Sequence, residues 1–361
     1  MGTKITQSSN TDQSLVTSLV APDGSYEVAP LRKDDITIMA VQSRVVPVHA
    51  DKATQMKKAN LDHMLDLIDA AASWMGPKDI IHFHEFPITG FSHLWNREDL
   101  LKVAIDVPGV ETEAVAARAK RYNSYIVFGS YSKDPNWPDH ILSTTIIISP
   151  EGEIIDKHWK LRNLKGVFAG FEVITTTIFD VMDRYVEMYG RDAVFPVTRT
   201  DVGNLATTAV QYEPELIRAF ALKGTEIMLR AATSGADPID IRSGAMHNNM
   251  YTSLVNNSIS NNPGPFFQDV RSGGTAIYGP KGEILDTANS VNETGVMASI
   301  PIASFRKGRK IPRFHPALFA DLFNQYQEAY PPNMMDTSKG GDLPDNGFVA
   351  AQFLKDKSRW V

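Results

Sequence analysis

The stretch that decides the fold is TDVGNLATTAVQYEPELIRAFALKGTEIMLR, residues 200–230. An apolar run at 205–210 ends in a short turn, and Pro214 then stands where proline favours the first turn of a helix. Gly224 is typical of the residue that ends such a helix, and a β-rich run follows at 225–232. The stretch therefore predicts a strand, a tight turn, a helix and a second strand.

The same alternation of strand and helix extends over most of the chain. The predicted helices cover 53–75, 110–123, 214–224 and 242–251, and the first of them carries apolar residues at helical spacing. Further predicted strands cover 36–46, 79–86, 124–132, 142–149 and 252–259, and a hairpin turns at 280–282. Many strands are apolar throughout, which is typical of a sheet that is buried on both faces. The sequence therefore predicts a layered α/β fold.

The two ends of the chain lack this pattern. Residues 1–34 predict an extended N-terminal arm, 35–305 hold the layered domain, and 306–361 form a C-terminal extension of basic, aromatic and proline residues. The extension suits an arm that lies over another subunit better than an independent domain. The segment 167–199 has helical spacing at 179–190, which predicts a helix near the pocket mouth or at a subunit contact.

Composition argues against several classes of protein. A net charge of −6 and a pI near 5.9 leave no basic stripe, so we do not expect nucleic-acid binding. No apolar run is long enough to cross a membrane and the N-terminus lacks the core of a signal peptide, so we expect a cytoplasmic protein. The chain contains no cysteine, which removes disulfides, cysteine-bound zinc and any thiol nucleophile.

A candidate catalytic carboxylate stands near the end of the strand predicted at 79–86. Within HFHEF, Glu85 is either a general base in a partly buried pocket or a solvated carboxylate at a strand end. His82 and His84 share one face of the predicted strand, a layout that binds metals in some proteins, or they pack and hydrogen-bond in the core. No further ligand stands at a telling spacing nearby, so we predict no metal site.

Two further segments offer reactive groups or places for them. Lys160, in GEIIDKHWKLRNLKG (152–166), is either an exposed lysine or a cation that orients a base and stabilises an oxyanion. The turn before Pro214 has the layout on which many hydrolases mount a nucleophile, yet residues 207–212 (TTAVQY) offer neither cysteine nor serine. Each of these signals is weak alone.

Together these segments resemble those of the nitrilase superfamily, the carbon–nitrogen hydrolases. HEFPITGF is similar to the segment that carries the family's catalytic glutamate, with His84 in place of a proline. GEIIDKHWK is similar to the segment whose last lysine is catalytic, and residues 195–230 resemble the block around the nucleophilic cysteine. AMHNNMYTSLVNN and SGGTAIYGPKGEIL also match, so the likeness spans roughly residues 35–305 in the right order.

The resemblance implies an α-β-β-α sandwich of four layers, paired through its sheet-covering helices into a homodimer or larger homo-oligomer. It also implies action on a small nitrile or amide, with a cysteine as nucleophile, Glu85 as base and acid, and Lys160 stabilising the tetrahedral intermediate. No metal or organic cofactor is implied. The roles are chemically consistent, because a thiolate attacks, a carboxylate moves protons and an ammonium meets developing negative charge.

The nucleophile position departs from the family. The segment from Gly203 to Pro214 is two residues shorter than the family's spacing, so counting forward reaches Val210 and counting back reaches Thr208. Splitting the deficit gives Ala209, which we favour because a replaced cysteine would leave such a small residue. Natural loss is the other interpretation, and the absence of cysteine from the whole chain favours it. Thr208 as a substitute nucleophile would need a neighbouring base.

The remaining candidates follow from their order in the chain. The family has a second glutamate after the lysine, for which Glu172 is the candidate and Glu187 the runner-up. The side chains predicted to approach a substrate are Tyr212, Arg230, Thr233 and His247.

Three functions stay open at this point. The chain is a hydrolase of small nitriles or amides that lacks its thiol, or it is a natural cysteine-free member. In the second case Glu85 and Lys160 perform non-covalent acid–base chemistry, such as hydration, elimination or isomerisation. The third possibility is a non-catalytic binding protein.

Overall fold

A computed structural model of the protein describes residues 21–163, 174–259 and 272–360. In chain order its strands are β1 (Ile36–Gln42), β2 (Ile80–Phe83), β3 (Ile105–Asp106), β4 (Tyr125–Lys133), β5 (Leu142–Ile148), β6 (Ile154–Trp159), β7 (Thr198–Thr200), β8 (Gly203–Thr208), β9 (Ile227–Ala231), β10 (Tyr251–Val255), β11 (Ala276–Tyr278), β12 (Ile284–Thr287) and β13 (Thr294–Ile300). Its helices are α1 (Ala53–Ser73), α2 (Arg97–Val103), α3 (Val110–Tyr122), α4 (Met182–Tyr189), α5 (Pro214–Leu222), α6 (Pro238–Asn248), α7 (Ile302–Gly308), α8 (Ala320–Gln325) and α9 (Gly347–Lys357).

The strands form two sheets. The first has the order β13-β1-β2-β4-β5-β6, with β3 paired to β4, and the second has the order β12-β11-β10-β9-β8-β7. In the first sheet β1, β2 and β4 are parallel neighbours, and in the second β8, β9 and β10 are. Helices connect these parallel strands, because a parallel pair needs a crossover that a hairpin cannot supply. The remaining strands of the two paths join in antiparallel pairs.

The two sheets face each other across one apolar core and carry helices on their outer faces. Ile38 and Val127 from the first sheet meet Leu229 from the second. Helices α1 and α3 cover the outer face of the first sheet, where Ile68 is buried, and α5 and α6 cover the second, where Phe220 is buried. The four-layer α-β-β-α sandwich implied by the resemblance is therefore confirmed. The central strands of both sheets are buried on both faces, which explains why many of the strands are apolar throughout.

Several of the predicted strands end early, and two of them lead into candidate residues. The strand predicted over 79–86 ends at Phe83, so Glu85 lies in the loop that follows it. The strict alternation of faces expected for a strand therefore does not extend to that glutamate. The strand predicted over 205–210 ends at Thr208, which leaves the last predicted positions in the turn before α5.

Two of the predicted helices have different bounds in the structure. α6 begins four residues earlier than the predicted 242–251, because the side chain of Asp237 accepts a hydrogen bond from the backbone N–H of Ile239. The helix predicted over 179–190 is present as a 3₁₀ turn at 179–181 followed by α4. None of the described helices is long and apolar enough to cross a membrane.

Both ends of the layered domain are tied to one buried carboxylate. Glu226, at the start of β9, is fully buried and accepts hydrogen bonds from the Tyr26 hydroxyl and the Arg306 guanidinium. Tyr26 belongs to the N-terminal arm, and Arg306 belongs to α7, which runs across the predicted boundary at residue 305. The division into arm, domain and extension stays a prediction.

The C-terminal extension contacts its own domain. The backbone N–H groups of Asn333 and Met335 donate to the carbonyls of Phe179 and Asp180, each over 3.0 Å. Met335 is fully buried in the apolar cluster on the outer side of the second sheet. The extension is thus part of this subunit's packing, and its contact with another subunit stays a prediction.

Candidate functional site

Glu85 is held where the backbone of a neighbouring strand comes unusually close. It follows β2 and is 8% exposed. The N–H of Gly129 in β4 donates to the carbonyl of His84 over 3.0 Å. A Cβ atom at Gly129 would lie 2.5 Å from the Cα of Glu85, closer than any real contact. Glycine is therefore required at this position, since it lets the loop of Glu85 lie directly against β4.

Lys160 follows the last residue of β6 and is fixed on both sides of its backbone. Its N–H donates to the carbonyl of Ser143 over 2.8 Å, and its carbonyl accepts from the N–H of Ile178 over 3.1 Å. The ammonium Nζ lies 3.5 Å from Oε1 of Glu85. The lysine and glutamate side chains are 12% and 10% exposed, so each charge offsets much of the lost hydration of the other. The structure therefore brings these two candidates together, although 75 residues separate them in sequence.

The turn after β8 lies alongside the end of β6. Burial lowers the pKa of His158, so its neutral imidazole donates through Nδ1 to the carbonyl of Thr207 over 2.9 Å. Arg162 Nη2 donates to the carbonyl of Gln211, also over 2.9 Å. Both contacts join residues that are 49 positions apart in the chain. In sequence, Lys160 lies midway between His158 and Arg162.

Ala209 lies in this turn between Thr207 and Gln211, whose carbonyls accept the two hydrogen bonds from the β6 side. Thr208 is 4% exposed, and its hydroxyl oxygen accepts a hydrogen bond from the N–H of Val210 over 3.1 Å. That bond comes from a donor, so it does not activate the hydroxyl as a nucleophile. The choice of Ala209 over Thr208 and Val210 as the nucleophile position stays a prediction.

Arg230 anchors the turn. It is 2% exposed, and its guanidinium donates to the carbonyl of Val210 and to Oδ2 of Asp240, the latter over 3.3 Å. Burial lowers the pKa of Arg230, and the carboxylate of Asp240 opposes that shift. Arg230, which was predicted to bind substrate, thus holds the backbone of the turn. It does not line a small cavity that lies beside Lys160.

The other predicted pocket residues are dispersed. Tyr212, which is 63% exposed, and His247 line a groove between α5 and α6 on the outer side of the second sheet. The hydroxyl of Thr233 is buried and has no hydrogen-bond partner within the described part of the chain. Glu187 is exposed on α4, and Glu172 lies outside the described residues.

The two histidines near Glu85 belong to the core. His82 Nδ1 lies 3.0 Å from the hydroxyl of Ser253 in the opposite sheet, and His84 Nδ1 accepts from the N–H of Phe86 over 3.1 Å. Burial lowers the pKa of His82 to about 3 and that of His84 to about 4, so both rings are neutral. In the described ranges no three His, Cys, Asp or Glu side chains cluster in a way that would hold a metal ion. The geometry is that of packed, hydrogen-bonded histidines.

A small cavity of about 20 Å³ lies beside Lys160. Such a volume has room for about one water molecule. Phe86 stacks on Tyr131 with ring centroids 4.2 Å apart, and Trp95 meets the same tyrosine edge-on at 6.1 Å. The aromatic walls of this cavity were not predicted from the sequence. Phe86 stands within the HEFPITGF motif, so the aromatic residues of that motif were a signal that could have indicated them.

A buried arginine links the C-terminal extension to the wall of this cavity. The guanidinium of Arg97 donates to the carbonyl of Pro344 over 2.8 Å and to that of Ile174 over 2.9 Å. Ile174 lines the cavity beside Lys160. One side chain therefore holds both the extension and the wall of the cavity. Because Arg97 is buried, leaving its guanidinium without hydrogen-bond partners would cost free energy.

The comparisons with known proteins agree with this architecture. The carbon-nitrogen hydrolase family matches residues 40–310. The formamidase of Helicobacter acinonychis is 27% identical over 228 residues, which is 61% of this chain and 61% of that protein. Nitrilase 2 of Arabidopsis thaliana is 24% identical over 226 residues, which is 57% of this chain and 61% of that protein. The match thus spans less than two thirds of the length of these relatives.

Solved structures show the same fold at low identity. A variant of the amidase from Nesterenkonia sp. AN1 in complex with acrylamide has a TM-score of 0.57 at 17% identity, covering 83% of this chain and 100% of that chain. Nit3 of Saccharomyces cerevisiae, described as a member of the nitrilase superfamily, has a TM-score of 0.60 at 19% identity, covering 80% and 100%. At such identities the likeness shows the fold alone.

The class of protein now follows from the fold and the pair of charged groups. Two facing sheets with outer helices define an α-β-β-α protein, and a glutamate and a lysine meet near the ends of β2 and β6. The match over residues 40–310 shows the family: the chain belongs to the carbon-nitrogen hydrolase family. It does so without a single cysteine.

Proposed function

We propose that this chain binds a small amide or nitrile at the Glu85–Lys160 pair, and that Ala209 occupies the nucleophile position. The observation that carries the proposal is the 3.5 Å contact between the lysine ammonium and the glutamate carboxylate, which persists in a chain without a thiol. A methyl group at Ala209 cannot attack carbon, so the chain as it stands forms no thioester. The proposal therefore separates recognition, which is retained, from covalent catalysis, which is lost.

The roles follow from charge and proton balance. With a cysteine at position 209, Glu85 takes the thiol proton while sulfur attacks the amide or nitrile carbon. The ammonium of Lys160 donates a hydrogen bond to the developing negative charge. With an amide, Glu85 passes its proton to the departing nitrogen, which leaves as ammonia and gives a thioester. With a nitrile, the proton goes to the nitrile nitrogen and gives a thioimidate, to which a first water adds before ammonia leaves and the same thioester forms. A water molecule, deprotonated by Glu85, releases the acid and regenerates the thiol. Without the sulfur, only the binding and proton-transfer parts of this sequence are available.

The first test introduces the thiol. We expect Ala209→Cys to release ammonia from acetamide or acetonitrile and to give a covalent adduct in intact-mass spectra. Adding Glu85→Gln to that variant should lower the rate by about 10²–10⁴, the usual contribution of a general acid–base group. Thr208→Cys is the matched control, because its side chain already bonds within the turn. Activity in Thr208→Cys alone would refute the assignment of Ala209, and inactivity of both variants would refute the hydrolase proposal.

A second candidate function rests on the same intact ion pair. In it Glu85 and Lys160 act without a nucleophile, with the carboxylate deprotonating water and the ammonium stabilising the charge on the acceptor. For a nitrile, the addition of water gives the corresponding amide, and all atoms are conserved. If this hypothesis is correct, the unmodified chain converts a nitrile to its amide. Glu85→Gln should abolish the conversion while the circular dichroism spectrum, which reports folding, stays unchanged. If no nitrile in a panel is converted, this second function is refuted, and the proposal that the chain binds an amide or nitrile is unaffected.

We also propose that the protein forms a homodimer or larger homo-oligomer through α5 and α6. Phe314, Phe319 and Phe323 stack in sequence, with centroids 5.7 and 5.9 Å apart, beside the groove between these helices. Leu322 in this segment is 65% exposed, and an exposed apolar patch of this kind is typical of an interface. Leu322→Asp should yield a monomer in light scattering, whereas Val110→Asp, on the remote α3, should not. A cytoplasmic location is likewise a proposal that rests on sequence alone.

A further inference from the structure

A cavity lies between the C-terminal extension and the candidate site. Its volume is about 390 Å³, within the range of roughly 300–1,000 Å³ that is usual for small-molecule sites. Its walls come from the loop after β6, the start of α5, the segment from the 179–181 turn to residue 195, and the extension. We call it the tail cavity and define it by Asn163, Phe179, Phe195, Tyr326, Tyr330 and Trp360.

The tail cavity borders the cavity beside Lys160. Asn163 lines both of them and is 3% exposed. Its amide nitrogen donates to the carbonyl of Thr175 over 3.0 Å, so the shared wall is fixed. On the same side, the ion pair between Arg162 and Glu213 borders the tail cavity and ties the loop after β6 to the turn that carries Ala209.

The extension's side of the cavity is held by its own hydrogen bonds. The N–H of Arg359 donates to the carbonyl of Ala329 over 2.7 Å, and the indole N–H of Trp360 donates to that of Gln327 over 2.9 Å. Tyr326 meets the Trp360 ring edge-on, with centroids 6.2 Å apart. These bonds fix the aromatic wall without a ligand, which reduces the entropy lost on binding.

We propose that the tail cavity holds the apolar substituent of the substrate, an aryl or arylalkyl group, while the amide or nitrile end lies at Lys160. The walls are largely aromatic and aliphatic, and the polar groups among them include the Arg162–Glu213 pair, whose charges already satisfy each other. A flat uncharged ring matches such a surface, whereas a charged group would have to break that pair. A cavity of about 150 Å³ is enough to bind benzene, so this one admits a ring and a short linker.

The inference rests on the proposed function, in that the polar end of the ligand is assigned to the Glu85–Lys160 pair. The experiment measures the binding of acetamide, phenylacetamide and phenylacetonitrile to the full chain by calorimetry. We expect the two aryl ligands to bind at least tenfold more tightly than acetamide. Ala329→Trp fills the tail cavity and should remove that advantage, while Ala117→Trp makes the same substitution at an exposed position of α3 and should not.

The outcomes separate this inference from the proposed function. Loss of the aryl preference in Ala329→Trp, together with weaker binding in Lys160→Met, supports both. Aryl binding that Ala329→Trp leaves unchanged overturns the tail cavity as the aryl site, whatever Lys160→Met does. Aryl binding that Ala329→Trp abolishes but Lys160→Met leaves unchanged supports the cavity as an aryl site and overturns the proposed function. Equal binding of acetamide and the aryl ligands, or no aryl binding at all, also overturns the inference.

Discussion

The close approach of β4 to Glu85 makes Gly129→Ala the sharpest structural test. The added Cβ would lie 2.5 Å from both the Cα and the carbonyl oxygen of Glu85. Carbon atoms rest at about 3.5–4.0 Å, so the two backbones must separate by about 1 Å. β4 is hydrogen-bonded to β2 and β5 on its two sides, so the loop of Glu85 is the part that moves. Overpacking of this kind costs about 1–3 kcal/mol.

The expected result has two parts, stability and binding. Urea unfolding followed by circular dichroism should show a loss of about 1–3 kcal/mol. The binding of acetamide should weaken by about tenfold or more, because a misplacement of about 1 Å at a reacting group has cost up to about 10²-fold elsewhere. Gly308→Ala is the matched control: nothing lies within 4 Å of a Cβ built there, so stability should change little or rise. If Gly129→Ala equals the unmodified chain in both assays, the close approach does not exist.

Three further predictions concern buried groups. Glu226→Gln leaves the Arg306 guanidinium without its carboxylate and should cost about 3–5 kcal/mol in urea unfolding, whereas an unchanged midpoint would show that the pair contributes nothing. Burial lowers the pKa of His82 to about 3 and that of His84 to about 4, from the ordinary value of 6.5. Below about pH 6.5 the unfolded chain therefore binds protons at these two residues that the folded chain does not. Stability should therefore fall from about pH 6.5 towards about pH 4, by roughly 1 kcal/mol per pH unit for each histidine. A flat profile between these limits would contradict the buried neutral rings. Arg230→Met removes the anchor of the turn after β8, and amide hydrogen exchange at 209–213 should become faster, with strands β1 and β4 of the first sheet as the unaffected reference.

Local pattern in the sequence was sufficient for the layers of the fold. Helical spacing and uninterrupted apolar runs encode which face of an element is buried, and they predicted α1, α3 and α5 and the strands between them. The ends of the strands were predicted less accurately. β2 ends at Phe83 and β8 ends at Thr208, because contacts made elsewhere in the fold decide where a strand stops. The start of α6 was a missed capping signal, since Asp237 and Pro238 are a readable pair.

The sequence by itself determined the family resemblance, the absence of a thiol, and the segments that carry Glu85 and Lys160. Only the tertiary structure decided that these two meet at 3.5 Å and that Arg230 holds the turn after β8. It also decided that the extension closes a cavity over its own domain. The physical reason is range: propensity and periodicity act over a few neighbouring residues, whereas these contacts join segments that come together only when the two sheets pack.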